Sequence, residues 1–208
     1  MKIVKPKISK YEDKKLIDAY NENEYENYKF NENILEAITI SNTTFDSCIF
    51  ENINFSNIEL DNVDLMDVIF ENCDLSNKNF DERLISRVVF KNCKMTGVSF
   101  INSSLREIDF DNSNSQYMNF SNAKINNIIF KDSDISESTF METDIKNIEF
   151  DNSKLYQTEF IRTKLKDVDF SNTDISGTIF DHYSLKDIII DPFQCENLIG
   201  MLGVKVKR

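Results

Sequence analysis

Large apolar side chains recur in this chain every five residues. Sixteen of the 17 Phe lie at residue numbers divisible by five: Phe30, Phe45, Phe50, Phe55, Phe70, Phe80, and then every tenth residue through Phe180. From 50 to 180, thirteen of the fourteen multiples of ten are Phe, the exception being Leu60. From 55 to 185, twelve of the fourteen positions ending in five are Leu, Ile or Met, the exceptions being Phe55 and Ser115. A step of five rotates about 140° around an α-helix, which would spray the Phe around its axis. On a continuous strand, an odd step throws alternate members onto opposite faces. The chain must therefore turn once per repeat, so that short sides close into a coil and every large side chain points to a common axis.

Two further columns agree. Two residues before each centre the side chain is small or β-branched, as in Cys48, Ile53, Ile58, Val63, Val68 and Cys73, or Ser153, Thr158, Thr163, Val168 and Thr173. These form a second inward position within a short extended segment. Two residues after each centre, from 42 to 187, fourteen of thirty positions are Asn and two are Gly, the residues that tolerate positive φ, so this column marks the corners. Three of the four cysteines sit in the small inward column, with no CxxC spacing and one His in the whole chain, so zinc and disulfide frameworks are poor readings.

Segments such as Cys73-Asp74-Leu75-Ser76-Asn77, Val168-Asp169-Phe170-Ser171-Asn172 and Thr173-Asp174-Ile175-Ser176-Gly177 resemble the pentapeptide-repeat family over residues 28–190. The resemblance implies an all-β fold, a right-handed quadrilateral parallel β-helix with one repeat per side and twenty residues per coil. Some eight coils at ~4.8 Å would make a rod of about 38 Å. Lys78 and Arg83 stand at small inward positions, and Ser115, followed by Tyr117 and Met118, replaces a large centre. Irregularity is therefore expected near 78–88 and 113–118.

A solenoid needs caps. Residues 1–27 read as a lead-in or cap. Residues 191–208 read as a helix and tail: Asp191-Pro192-Phe193-Gln194 combines an N-cap, a Pro at the first helical position and a Gln three residues after the cap, predicting a helix over 192–202 that stops at Gly203. So short a helix must pack, either on its own last coil or on a second subunit. The tail is similar to that of the Qnr and MfpA quinolone-resistance proteins, which implies an end-to-end homodimer through Gln194, Leu198, Leu202 and Gly203, to which the apolar Phe193 and Ile199 presented by the helix are added. It also implies a DNA-mimicking protein that binds DNA gyrase or topoisomerase IV.

Charge tests that implication. The net charge is -12. Residues 1–20 carry six Lys against three acids and residues 201–208 carry three cations, leaving 33 acids against 15 bases between them. About 38 Å of duplex DNA carries roughly 22 charges, the same order as this body. From 22 to 82, fifteen acids face only Lys29 and Lys78. Later coils stack opposite charges twenty residues apart, as in Lys91, Asp111, Lys131 and Asp151, which predicts intercoil pairs. Glu51, Glu59, Asp61, Asp64, Asp67, Glu71, Asp74, Asp81 and Glu82 lack such compensation and form the candidate partner-binding surface.

An acidic chain of this kind is not expected to grip nucleic acid or an anionic membrane. No run approaches the roughly 18 apolar residues of a membrane span, and no apolar segment follows the basic opening as in a secretory signal, so a cytoplasmic protein is expected. No catalytic residue, metal site or cofactor is expected: His182 is solitary and no Gly-rich phosphate loop is present. The other reading of the same pattern is a scaffolding solenoid for a different protein partner, its acidity serving solubility.

Overall fold

The computed structural model describes residues 1–21, 23–201 and 204. The chain winds as a parallel β-solenoid in which, from Glu24 onward, paired residues stack twenty positions apart, while the first pairing, Glu12 on Tyr28, spans only sixteen. Phe50, Phe70, Phe90, Phe110, Phe130 and Phe150 are successive register partners. Of the four faces, two carry continuous strands: the first is centred on 65, 85, 105 and 125, the second on 70, 90, 110 and 130. They are built by Ile58–Glu71, Leu84–Lys91, Ser104–Asp111 and Lys124–Lys131. Beyond residue 62 the third and fourth faces are held mainly by single bridges, such as Asp74 to Lys94 to Asn114 and Asn79 to Ser99 to Asn119, whereas 38–41 still pair with 58–61 as a ladder.

Phe fills the axis in two columns, as the period of five requires. On the second face Phe50 stacks on Phe70 at 4.7 Å and Phe110 on Phe130 at 4.5 Å. On the fourth, Phe120 stacks on Phe140 at 4.6 Å. These rings are fully buried. The small inward column does more than fill space: Ser113 and Ser133 donate from Oγ to the carbonyls of Phe90 and Phe110, at 3.1 and 3.2 Å, and Thr173 to that of Phe150 at 2.8 Å. Each hydroxyl thus satisfies a backbone oxygen of the preceding coil.

Most corners take positive φ as expected, the exceptions in the column from 42 to 187 being Asn57, Asn147, Asn172 and His182. The ladder imposes that conformation even where the residue is unsuited to it, at Arg87 (54°), Glu107 (56°) and Tyr117 (59°). The left-handed conformation costs a β-carbon-bearing residue about 1 kcal/mol, a cost the stacked coil offsets through its pairing.

The expected irregularity is present at one of its two places. Ile38–Asp46 pairs in register with Ile58 to Met66, and the first and second faces pair onward without interruption. On the fourth face, however, no backbone hydrogen bond among the described residues joins 58–62 to 77–81. Lys78 swings its ammonium onto the Ile58 carbonyl instead, at 2.8 Å, and Arg83 turns its guanidinium onto the Asp81 carbonyl at 3.0 Å. At 113–118 the coil does not bulge, contrary to expectation. Ser115 keeps its ladder bond to Asp134 (2.7 Å) and stays buried, and buried Met118 restores volume at the inward position of the next face.

At the N-terminal end, Glu12–Asp13 pairs with Tyr28–Phe30, and Leu16 and Tyr25 close the first coil. Residues 1–10 form no regular element and run along the outside of the rod. At the other end, a 3-10 turn Pro192–Gln194 leads into the helix Cys195–Met201.

Candidate partner-binding surface

The break in the fourth face opens a cleft of about 620 Å³ between two coils. Its lips are strand residues 58–62 on one side and residues 77–83 on the other, with Lys78 reaching across. The sequence mark of this site is the one multiple of ten between 50 and 180 that is not Phe: Leu60 lies at the lip, where the face changes from paired strand to bridged turns. Burial holds the Lys78 ammonium below its ordinary pKa against the opposing pull of Glu59 and Asp74.

The nine predicted acids do not behave alike. Four are compensated, which corrects the expectation for them. Glu51 pairs with Lys29 at 2.8 Å, Glu71 with Lys91 at 2.7 Å and Asp74 with Lys94 at 3.3 Å. Asp67, 5% exposed, receives both Nε and Nη2 of Arg87 at 2.6 Å. Burial alone would raise the Asp67 carboxyl, but the Arg87 guanidinium and the Lys7 backbone N–H outweigh it and hold the group below the usual carboxylate range. Arg87, Lys91 and Lys94 each lie twenty residues after their acid, in the same stacking that predicts charge pairs in the later coils, but just past the acid-rich stretch 22–82. Lys29 lies within that stretch, one coil before Glu51. Lys91 pairs with Glu71 rather than with Asp111, and Lys131 forms no ion pair with Asp111 or Asp151 among the described residues although all stack in register, which corrects the expected column of intercoil pairs.

The other five carry no ion pair among the described residues. Glu59, Asp61 and Asp81 line the cleft. Asp64 accepts the Leu84 N–H at 2.8 Å beside it, and Glu82 stands exposed on a corner. Of the nine, the five without an ion pair are therefore gathered where the fourth face turns into the first, beside Lys78 and Arg83 of the cleft lining.

Two family profiles match the repeats of this solenoid. The family profile described as Pentapeptide repeat region matches residues 63–140, and that of Pentapeptide repeats (8 copies) matches 40–77 and 143–181. The chain belongs to the pentapeptide-repeat family. Among solved structures, this pentapeptide-repeat protein is similar to full-length QnrB1, a plasmid-mediated fluoroquinolone resistance protein (19% identity, 87% of this chain and 90% of that one, TM-score 0.41). It is also similar to HetL, involved in heterocyst differentiation regulation in the cyanobacterium Nostoc sp. strain PCC 7120 (11%, 80% and 86%, 0.43). A third is a pentapeptide-repeat protein of the Arabidopsis thaliana thylakoid lumen (22%, 48% and 66%, 0.35). No curated protein gives a significant sequence match. Among the described residues, no helix is long and apolar enough to cross a membrane.

At the C-terminal end of this pentapeptide-repeat solenoid, the predicted interface residues divide. Asp191 caps the Phe193 N–H at 2.8 Å, and Gln194 returns from Oε1 to the Asp191 N–H at 2.8 Å. The Gln194 amide then donates to the carbonyls of Phe170 (2.9 Å) and Thr173 (2.7 Å), so Gln194 caps its own last coil and has no donor left for a second subunit. Leu198 is buried in the core cluster. Phe193 is 91% exposed, and Ile199 lines an apolar groove of about 390 Å³ with Leu185, Ile188, Ile190 and Leu198. Leu202 and Gly203 lie outside the described residues.

Proposed function

We propose that this solenoid is a binding module whose acidic surface around the cleft docks on a basic, DNA-binding surface of DNA gyrase or topoisomerase IV in the cytoplasm and protects that enzyme from quinolones. The observation that carries the reading is the gathering of Glu59, Asp61, Asp64, Asp81 and Glu82 on one part of the rod without ion pairs among the described residues, while the other predicted acids are paired. The tail's similarity to the quinolone-resistance proteins supplies the identity of the target. Mimicry on this reading is a patch rather than a rod: one acidic surface stands in for the phosphates of a short stretch of duplex. The exposed Phe193 and the apolar groove beside Ile199 support an end-to-end homodimer, with Gln194 shaping the end rather than bridging it.

A scaffolding role for another protein is the second reading, favoured by the ion pairs at Glu51, Glu71 and Asp74, which spend acidity on holding coils together. Gyrase supercoiling in the presence of ciprofloxacin, with and without the protein, separates the two. Restoration or direct inhibition of supercoiling supports the first reading; no effect across micromolar concentrations removes it.

A further inference from the structure

Residues 1–7 lie across the coils on the edge between the first and second faces. The Val4 N–H donates to Glu107 Oε2 at 2.9 Å and the Lys7 N–H to Asp67 Oδ1 at 2.9 Å. The Lys5 ammonium pairs with Asp109, and the Met1 nitrogen reaches Glu149. Ile3 is buried although it belongs to no regular element, and the receiving carboxylates are nearly so: Asp67 is 5%, Glu107 6% and Asp109 8% exposed.

The spacing explains why these contacts form together. Val4 and Lys7 are three residues apart, about 10 Å of extended chain, and Glu107 and Asp67 are two coils apart, also about 10 Å. Three more residues lead to Met1 and two more coils to Glu149, so the arm and the solenoid keep step. A polyproline-II segment repeats every three residues, which places donors at 1, 4 and 7 on one side. Pro6 favours that form by fixing its own φ and keeping Lys5 extended, and it lacks only an N–H that this register does not use. Because the arm runs at right angles to the strands, it cannot join their ladder, and carboxylate side chains take its backbone donors instead. Outward residues that would otherwise be polar agree with a covered surface: Ile69, Val89 and Ile129 precede Phe70, Phe90 and Phe130 on this side and are only partly exposed.

We propose that this acidic groove, with Asp67, Glu107 and Asp109 as its acceptors, is an interaction site for an extended lysine-bearing segment of a partner protein, and that the chain's own arm is its built-in competitor. The groove reads backbone N–H groups three residues apart plus one lysine, and a partner must displace residues 1–7 to enter. The site is separate from the cleft, so the proposal stands whatever the cleft binds.

The test uses the full chain and a fluorescent peptide with the sequence of residues 1–10 as probe. In an arm-released variant, Ile3→Asp with Lys5→Glu, the peptide should bind at least tenfold more tightly than to the unmodified chain, and adding Glu107→Gln with Asp109→Asn should abolish that gain. Equal binding to released and unmodified chains, or no binding to a folded released variant, overturns the proposal. A second readout needs no released variant: in the 15N-labelled unmodified chain the Val4 and Lys7 amides should be protected from hydrogen exchange, and unlabelled peptide should accelerate their exchange. Amides that are unprotected, or unmoved by saturating peptide, also overturn it. Exchange of labelled arms between two copies would show the partner segment to be another copy's arm rather than a different protein's and would overturn the proposal as stated.

Discussion

The Lys78 ammonium sits 2.8 Å from the carbonyl oxygen of Ile58, one coil below it, where a backbone bond would otherwise close the fourth face. A long cation at a position that elsewhere holds Ser, Thr, Cys or Val thus both props the two coils apart and satisfies the oxygen it exposes. Replacing Lys78 by Met should leave the Ile58 carbonyl without its partner and cost about 1–3 kcal/mol. Lys78→Thr should let the ladder close. Urea unfolding gives the stabilities, and hydrogen exchange at Leu60 reports closure, slowing in the Thr variant only.

The Phe columns set the stability of the rod. Phe110 is fully buried between Phe90 at 5.1 Å and Phe130 at 4.5 Å, so Phe110→Ala should cost about 3–5 kcal/mol in chemical denaturation. Phe193→Ala, at the exposed end, should leave unfolding of the single chain within about 0.5 kcal/mol of unchanged. If the end is a dimer contact, the same substitution should lower the mass seen by light scattering.

How much of this was legible in the sequence depends on the distance over which each feature acts. Phe110 and the corner Asn residues follow a rule repeated every five positions, so side, register and core are legible in the sequence alone. Lys78 and Arg83 break that rule visibly, and the cleft lies where they break it. Ser115 also breaks it, yet Met118 compensates three residues later, and the sum of two departures does not show in either alone. The pairing of Asp67 with Arg87 needed the coil length as well as the charge. The arm was the least legible: its partners lie sixty to more than one hundred residues away, and the only hint was apolar Ile69, Val89 and Ile129 at outward positions.

Ser115 carries a second consequence. Its Oγ is fully buried and has no hydrogen-bond partner among the described residues, whereas Ser113, Ser133 and Ser153 all donate to the coil below. Ser115→Ala removes an unsatisfied hydroxyl and should be neutral or stabilising by up to about 1–2 kcal/mol, whereas Ser133→Ala should destabilise by about 1 kcal/mol. Paired thermal melts of the two variants decide it.

Acid should loosen the rod from its carboxylates. Asp67 is held below the usual range despite burial, by Arg87 and Lys7, and Asp174 by hydrogen bonds from Ser176. A carboxyl whose folded pKa lies below its unfolded value of about 3.9 contributes stability that is fully present above that value and is lost as pH falls through the folded one. Denaturation midpoints should therefore hold between about pH 7 and 5 and fall below about pH 4. Asp67→Asn should flatten part of that fall and lower the plateau, while Arg87→Met should lower the plateau by leaving a nearly buried carboxylate without its cation.

The central claim is that the uncompensated acids around the cleft stand in for DNA, and direct binding to purified gyrase tests it. The account predicts a complex displaced by duplex DNA, weakening at least about tenfold as salt rises from about 50 to 200 mM, and lost in the variant Asp61→Asn, Asp64→Asn, Glu82→Gln. A complex indifferent to salt, DNA and these three substitutions, or no complex with a correctly folded protein, would contradict it.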